Sequence, residues 1–242
     1  MRYAIFSDIH SNREALDAVL EAIRVDGVDQ VVCAGDLVGY AAEPEAVVAA
    51  VRAAAHAVVA GNHDWAAAGR ISLEWFHPVA HAAMVWTTTQ LSDPTRQYLA
   101  ALPLTWRDAH VTVAHGTLHE PEQFHYLLDA DVATRSLALQ ETPVAFVGHT
   151  HVPIVFSTTP DGDVRMLYDR AVTVQPGRRY LVNVGSVGQP RDHQPTACYC
   201  LYDTERQRLE FRRVPYAVSQ TQAKIRAAGL PDWLADRLTR GN

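Results

Sequence analysis

Short apolar runs alternate with helical patterns along the first sixty residues. Residues Arg2–Ser7 form an apolar run that is typical of a buried strand. Within Asn12–Val25 the apolar side chains recur three and four positions apart, which predicts one face of a helix with Asn12 as its N-cap. A second apolar run, Gln30–Ala34, precedes a predicted helix over Glu43–Ala55. This order predicts βαβ units and a mostly parallel sheet.

Strand patterns dominate from residue 104 onward. The pair Asp161-Gly162 between two of these strands is a strong hairpin signal. Residues 66–102 are rich in Ala with Leu, Trp and Met at helical spacing, and they predict two or three helices that form a cap or insert at the sheet edge. Two further helices are predicted over Pro215–Ala228 and Pro231–Leu238. The later strands are predicted at Ala57–Ala60, Leu104–Arg107, Val111–Ala114, Val144–Val147, Ile154–Thr158, Val164–Tyr168, Tyr180–Val184, Ala197–Tyr202 and Leu209–Arg213. The simplest account is one α/β domain over residues 1–242, with two packed sheets and helices outside them.

Composition narrows the class of protein. The chain is 48% hydrophobic and 20% charged, which is ordinary for a globular domain. Its formal net charge is −6 without a basic block, so we expect no binding to duplex nucleic acid. No apolar stretch of about twenty residues occurs, and no signal-peptide pattern opens the chain. We therefore expect a cytoplasmic location without membrane contact. Nothing in the pattern predicts an oligomeric state.

The three cysteines do not suggest a metal site. Cys198 and Cys200 alternate along a predicted strand and therefore share one face of it. Because no second Cys pair exists to complete a zinc site, packed thiols are the favoured interpretation, and Cys33 lies in an apolar run that predicts the same.

Polar clusters follow five of the apolar runs, each at the carboxyl end of a predicted strand. That end is where open α/β sheets build their sites. Asp8 and His10 are two apart on chain expected to be extended, so both side chains should point the same way, and His149 and His151 repeat the spacing. Buried Asp, Asn and His need a compensating partner, and divalent cations provide one. The clusters are Asp8-Ile9-His10, Gly35-Asp36, Gly61-Asn62-His63-Asp64, His115-Gly116 and Gly148-His149-Thr150-His151.

These clusters, quoted with their neighbours, resemble known signature blocks. Ser-Asp-Ile-His-Ser-Asn, Gly-Asp-Leu-Val-Gly, Gly-Asn-His-Asp, Ala-His-Gly and Gly-His-Thr-His resemble, in order, those of the calcineurin-like metallophosphoesterase family. The segment from Asn183 to Arg191 resembles a further block of its small bacterial phosphodiesterase branch. The resemblance implies a four-layer α-β-β-α sandwich of two mixed β-sheets flanked by helices, and a centre of two divalent metal ions.

The resemblance also implies roles for single residues. His63 is expected to face the substrate phosphate or the leaving group without binding metal, and Asn12 is expected to contact a phosphate oxygen. We count His63, Asp36 and Asn62 as the catalytic set. Manganese is the first expectation for the ions, and iron, zinc, nickel and cobalt also suit these ligands. The implied ligands are Asp8, His10 and His151 for one ion, Asn62, His115 and His149 for the other, and Asp36 as the bridge.

One departure from the family separates this chain from some of its branches. In the related protein phosphatases and dinucleoside tetraphosphatases, the Gly-Asp block continues to an Arg that grips phosphate, and here Gly39 and Tyr40 occupy that stretch. A protein Ser/Thr phosphatase is therefore disfavoured. Arg191 is a candidate for a substitute grip, with a surface Arg paired to a carboxylate as the equal alternative. For Arg13 that alternative is favoured.

Other histidines carry weaker signals. His77 and His81 lie four apart on a predicted helix, which matches zinc spacing, but packing is the favoured interpretation. His119 and His125 follow the His115 cluster on a loop, and a pocket lining and a solvent-facing position stay equally open.

The leading functional hypothesis is a hydrolase of phosphodiesters or phosphomonoesters. Its substrates would be small molecules, with nucleotides among them, and a hydroxide bridging the two ions would attack the phosphorus directly. Two rivals remain open. One is a non-catalytic metal-binding scaffold that binds a partner protein, and the other is a nuclease of the same fold, against which the net charge speaks.

Overall fold

Twelve β-strands form two six-stranded sheets in the computed structural model, which describes residues 1–242. The strands are β1 (Arg2–Phe6), β2 (Gln30–Cys33), β3 (Ala57–Val58), β4 (Thr105–Arg107), β5 (Val111–Ala114), β6 (Val144–Val147), β7 (Ile154–Thr158), β8 (Val164–Leu167), β9 (Ala171–Thr173), β10 (Tyr180–Asn183), β11 (Ala197–Asp203) and β12 (Arg208–Val214). The helices are α1 (Arg13–Asp26), α2 (Pro44–Ala54), α3 (Asn62–Ala67), α4 (Pro78–Gln90), α5 (Asp93–Ala101), α6 (Ala130–Leu139), α7 (Val218–Ala227) and α8 (Asp232–Arg240). Short 3-10 turns lie at Leu73–Trp75 and Pro121–Gln123. No helix is both long and apolar enough to cross a membrane.

Both sheets mix parallel and antiparallel strands. The first has the order β3-β2-β1-β11-β12-β9, with parallel pairing from β3 to β1 and antiparallel pairing beyond. The second has the order β4-β5-β6-β10-β7-β8, with parallel pairing only from β5 to β10. The mixed sheets of the sequence prediction are confirmed. The expectation of mostly parallel pairing is wrong. Six of the ten strand pairings are antiparallel, and three of these, β4–β5, β7–β8 and β11–β12, join consecutive strands through short connections.

Each sheet buries both faces, and this gives the sandwich its layers. Along β1, Tyr3 and Ile5 enter the core between the sheets, while Ala4 and Phe6 face the helices. The helix α1 places its apolar stripe, which includes Leu16, against this outer face. On the far side, α6 packs on the outer face of the second sheet. The predicted four-layer arrangement with flanking helices is therefore confirmed.

The segment between β5 and β6 contains an element that the apolar pattern does not predict. The helix α6 begins after Asp129, whose side chain accepts a hydrogen bond from the amide of Val132 at 2.9 Å. Its buried side is narrow and partly polar, since it includes Ser136 beside Leu137. A stripe of this kind gives a weak periodic signal in the sequence. The N-cap residue Asp129 is the clearer sequence signal for this helix.

The cysteines pack as predicted. Cys198 and Cys200 both lie in the core between the sheets, and Cys33 lies in the core under the helices. All three are free thiols, and burial raises the pKa of each. They are therefore packing groups of the sandwich.

A hydrogen bond between the sheets gives the first testable prediction. The Tyr3 hydroxyl on β1 donates to Asp108, which follows β4, at 2.6 Å. Burial alone would raise the pKa of Asp108, but this bond and two backbone amides hold the pKa below its ordinary value of 3.8. We expect Tyr3→Phe to lower the free energy of unfolding by about 1–2 kcal/mol at pH 7. Since a carboxylate with a depressed pKa stabilises the fold only while ionised, this difference should shrink as the pH falls below 3.8.

Urea unfolding at pH 7 and pH 3 measures both effects. The matched control is Tyr202→Phe, because Tyr202 is equally buried and stacks on Tyr3 with ring centroids 6.3 Å apart but has no carboxylate partner. An equal loss in both variants, independent of pH, would contradict the prediction.

Candidate metal centre

Five loops meet at one edge of the sandwich. Three follow β1, β2 and β3 of the first sheet, and two follow β5 and β6 of the second. Within the first sheet, the amide of Asp8 donates to the carbonyl of Gly35 at 3.0 Å. Across the sheets, the amide of His149 donates to the Asp8 carboxylate at 3.0 Å, and the His115 ring donates to the carbonyl of Ala34 at 2.7 Å. The five polar clusters of the sequence thus share one place.

Left-handed backbone brings most of the candidate ligands together. The φ angles are 56° at Asp8, 50° at His10, 55° at Asp36, 70° at His149 and 63° at His151. Non-glycine residues rarely adopt this region, and clusters of them mark functional sites. The expectation of extended chain at Asp-x-His and His-x-His is therefore wrong. Tight turns, not strand alternation, aim these side chains at a common point.

Two glycines make room for the carboxylates. A Cβ atom at Gly61 would lie 2.0 Å from an oxygen of Asp36, and one at Gly148 would lie 2.4 Å from an oxygen of Asp8. Any side chain at either position would displace a candidate ligand. These glycines were expected to allow a sharp turn or close approach to an ion, and what they approach is the ligand carboxylate itself.

The candidate ligands form overlapping groups with nearly all members buried. In each of three groups, potential ligand atoms lie within 4.8 Å of one another: Asp8, His10 and His151; His10, Asp36 and His63; and Asp36, His115 and His149. The first and third correspond to the two predicted ion sites. One oxygen of Asp36 lies 3.6 Å from Nε2 of His10 and 3.2 Å from Nε2 of His115, so it lies between rings of the first and third groups. Its other oxygen accepts the amide of His63 at 2.9 Å.

Two imidazole lone pairs face each other in the first group. Nδ1 of His10 lies 3.1 Å from the carbonyl of Val38, and Nδ1 of His151 lies 2.5 Å from the carbonyl of Gln189. A carbonyl only accepts, so each Nδ1 carries the hydrogen and each Nε2 is left with a lone pair. The two Nε2 atoms are 3.1 Å apart. Burial lowers the pKa of both rings, so a proton is a poor partner for them and a cation between them is a good one.

A buried acceptor without a donor lies beside the third group. Nε2 of His115 lies 3.2 Å from an oxygen of Asp36, with which it forms an ion pair. The side-chain oxygen of Asn62 is buried and has no hydrogen-bond partner. Buried acceptors without donors are rare and costly in native proteins. Nitrogen and oxygen donors of this kind fit a divalent cation.

Charges in this space favour positive partners. Burial alone would raise the pKa of Asp8, but His151 and His115 hold the pKa below its ordinary value. Burial would lower the pKa of His115, yet the Asp36 carboxylate raises it to about 9. For His149, burial and the neighbouring His115 lower the pKa to about 3. The site therefore draws positive charge to its two carboxylates while it keeps most of its imidazoles neutral.

Asp64 holds two of the ligand loops together, a role the sequence did not predict. Its carboxylate accepts the amides of Asp36 at 2.9 Å, Leu37 at 2.8 Å, Val38 at 3.4 Å and Gly61 at 3.0 Å. Burial and Asp36 raise the pKa of Asp64 to about 7, against the effect of these amides. Its position as the last residue of the Gly61-Asn62-His63-Asp64 cluster was the sequence signal available for this role.

His63 lies beside the ligand groups at the start of α3. Its Nδ1 is 3.0 Å from the sulfur of Met84, and its ring meets that of Phe76 edge to face at 4.9 Å. Burial lowers the pKa of His63 to about 4. The ring lines a cavity that opens over the ligands, together with Asn62 and His149. It is thus placed both to contact a bound ester and to reach His10 and Asp36.

Comparison with known proteins assigns the family. The model of the calcineurin-like phosphoesterase superfamily domain matches residues 1–207. An uncharacterized protein of Methanocaldococcus jannaschii is 36% identical over 242 residues, which cover 98% of this chain and 97% of that protein. The chain belongs to the calcineurin-like phosphoesterase superfamily. The family resemblance of the motifs is confirmed.

Two solved structures extend this result. A metallophosphoesterase from Sphaerobacter thermophilus is 42% identical and superposes with a TM-score of 0.87 over 100% of this chain and 99% of its own. A hypothetical protein from Pyrococcus horikoshii OT3 is 20% identical, with a TM-score of 0.80 over 100% and 98% of the two chains, and shares the fold. The superfamily motifs thus occur here on the fold of a known metallophosphoesterase.

Arg191 lies at the edge of the centre without a carboxylate partner. Its guanidinium donates to the side-chain oxygen of Gln189 at 2.8 Å and lies 6.0 Å from the ring centroid of Tyr40. Arg237 on α8, which is buried, donates to the same Gln189 oxygen at 2.8 Å. After burial, Arg191 is the largest influence that lowers the pKa of His151. The alternative of a surface Arg paired with a carboxylate does not describe it.

The other weak candidates resolve differently. Arg13 pairs with Asp17 at 2.8 Å on the helix surface, as its favoured interpretation predicts. His77 is exposed and lines the cavity over the ligands. His119 and His125 stack with centroids 6.2 Å apart and line a separate cavity. Tyr126 on the same loop, for which the sequence left the same two alternatives open, lines the cavity over the ligands, and its ring lies 3.9 Å from that of His149.

Asn12 caps a helix instead of facing the open site. Its side-chain oxygen accepts the amide of Ala15 at 3.1 Å and the hydroxyl of Thr221 at 3.0 Å, and its amide donates to the carbonyl of Gly188 at 2.9 Å. The side chain is buried and all these bonds are internal, so they give Asn12 a positioning role, and its contact to a phosphate oxygen stays a prediction. The N-cap prediction for Asn12 is confirmed.

Asn12→Ala should therefore act on stability. It removes a helix cap and leaves buried partners at Gly188 and Thr221, so we expect a loss of about 2–3 kcal/mol in the free energy of unfolding. Urea unfolding measures it. The matched control is Asp129→Ala, which removes only the exposed cap of α6 and should cost about 1 kcal/mol. Equal costs would show that Asn12 is no more than a surface cap.

Proposed function

We propose that this chain is a hydrolase of small-molecule or nucleotide phosphoesters that depends on two divalent metal ions. The carrying observation is the pair of Nε2 lone pairs of His10 and His151, 3.1 Å apart and buried, beside two carboxylates. Only a cation makes this arrangement favourable. The buried, unpaired side-chain oxygen of Asn62, next to the group of Asp36, His115 and His149, argues for a second ion beside the first.

When bound here, two divalent ions would lower the pKa of a nearby water and offset the negative charge that develops in a displacement at phosphorus. Asp8 and Asp36 are the only anionic ligands in the proposed set, so two divalent cations leave the centre with a net positive charge. This charge suits an anionic ester. The centre keeps this charge because most of its other proposed ligands are neutral imidazoles.

The chain's own residues divide the remaining work. Asp36 bridges the two ligand groups, and its second oxygen is fixed by the His63 amide. The His63 ring, neutral at pH 7 because burial lowers its pKa, faces the cavity and stabilises charge on the ester oxygens. Arg191, unpaired with any carboxylate, supplies the phosphate grip that is missing at Gly39 and Tyr40.

Nitrogen and oxygen ligands without any thiolate fit manganese, iron, zinc, nickel or cobalt, with manganese as our first choice. The 42% identical metallophosphoesterase from Sphaerobacter thermophilus supports the metal requirement. The small bacterial phosphodiesterase branch, a cytoplasmic location and the absence of duplex nucleic acid as a partner stay predictions from the sequence.

Metal content tests the two-ion proposal. Protein dialysed against a chelator and then against manganese should hold two ions per chain, measured by mass spectrometry of the metal. We expect His151→Ala and His149→Ala each to lower this number, and Asp36→Asn to lower it further, because Asp36 serves both ions. The control is His193→Ala, an exposed histidine away from the ligand groups. One ion per chain at saturation would contradict the proposal.

Turnover tests the role of His63. Manganese-loaded protein should release nitrophenol from bis-nitrophenyl phosphate, and His63→Ala should lower kcat by about 10²–10⁴-fold. Because His63 is proposed to act on the ester and not on the metal, the variant should keep its two ions. Loss of metal in His63→Ala would instead make it a ligand, as its proximity to His10 and Asp36 allows.

The absence of turnover would distinguish a scaffold from a hydrolase. If no ester is hydrolysed with manganese, nickel, cobalt, zinc or iron while two ions are bound, the chain is a metal-binding scaffold. The His193→Ala variant should match the wild type in every assay.

A further inference from the structure

An aromatic cavity opens over one side of the metal centre. Its volume is about 220 Å³, and its lining includes Asn62, His63 of the second ligand group and His149 of the third. The walls include Trp75 and Tyr126. Asp8, His10 and His151 of the first ligand group do not line it. A group bound here therefore lies next to His63, on one defined side of a phosphate held at the centre.

The walls present flat aromatic faces to solvent. Trp75 is 75% exposed and Tyr126 is 50% exposed, while Tyr126 stacks on the His149 ring at 3.9 Å. Phe76 meets His63 edge to face at 4.9 Å. Exposed aromatic surface that is grouped around a cavity marks a place where a ligand covers it. Trp75 lies in the short 3-10 turn before α4, so it reaches the cavity from outside the sandwich.

The cavity is free of charged side chains. No Asp, Glu, Lys or Arg lines it, and Arg191 stays outside the lining at 6.0 Å from the ring centroid of Tyr40. The side walls of Trp75, Phe76 and Tyr126 thus offer no opposite charge to an anionic group away from His63. The polar groups present are uncharged amides, such as Gln123, and ring nitrogens. An uncharged ring with polar edges matches this lining.

We propose that this cavity takes a flat, uncharged ring carried by the alcohol part of the phosphoester, stacked against Trp75. The inference rests on the proposed function, since it names the class of ester that the same site hydrolyses. The volume is below the roughly 300–1,000 Å³ of pockets for drug-sized ligands, so it suits one ring system beside the phosphate. A nucleobase and a simple aryl group share this chemistry.

Matched esters test the proposal without changing the reacting alcohol. Adenosine 5′-phosphate is compared with ribose 5-phosphate for the nucleobase, and 2-phenylethyl phosphate with butyl phosphate for the aryl group. The same pairs are also measured as methyl diesters. We expect kcat/KM of the manganese-loaded protein to be about tenfold higher for the ring-bearing member of at least one pair, as base–aromatic stacking provides. The pair that responds identifies the source of the ring.

Trp75→Ala should remove this preference and leave ribose 5-phosphate and butyl phosphate unchanged. The matched control is Tyr168→Ala, because Tyr168 is also 75% exposed but lines a different cavity. Control and wild type should show the same preference. Equal kcat/KM within all pairs, or a preference that survives Trp75→Ala, would overturn the inference while the proposed hydrolase stands.

Binding to the metal-free protein separates the inference from the proposed function. Adenosine and 2-phenylethanol, which carry no phosphate, are titrated against ribose and butanol with tryptophan fluorescence as the readout. We expect quenching only by a ring-bearing compound, and its loss in Trp75→Phe. If no ester is hydrolysed with any metal, this quenching still supports the ring site and its absence still refutes it.

Discussion

Two carboxylates and five imidazoles share a buried space in which there are too few hydrogens to satisfy them. Asp8, Asp36 and His115 have almost no exposure to solvent, so water cannot offset their charges and lone pairs. Backbone carbonyls fix the hydrogens of the His10 and His151 rings on the outer nitrogens, which leaves their inner nitrogens as acceptors. The fold around this edge is best understood as a frame that holds acceptors in place for cations.

The frame accepts local strain to do so. Asp8, Asp36 and His149 keep left-handed backbone that costs free energy at each non-glycine residue. The hydrogen bonds of Asp64 to four amides, and that of the His149 amide to Asp8, offset this cost. Because these bonds are within and between loops, the ligand geometry depends on loop contacts as much as on the strands that carry them.

Much of this could be predicted from the sequence, and the failures have physical reasons. The motifs around Asp8, Asp36 and His115 identify the family, and apolar runs locate most strands. The bonds of Asn12 to Gly188 and Thr221 were not predicted, because they join segments that are distant in the sequence. The roles of Gln189 and Arg237 depend on contacts between segments that are distant in the sequence. Local patterns carry no information about such contacts.

The long-range closure of the site has a consequence for how the protein is made. The hydroxyl of Ser186 donates to the carbonyl of Asp8 across 178 positions, and β11 inserts between β1 and β12. The ribosome therefore releases the first ligand loop long before it has synthesised Ser186 and β11. Until β11 emerges, β1 has an open edge that can pair with other nascent chains. The centre can thus assemble only late in synthesis, and the open edge of β1 must be protected from aggregation until then.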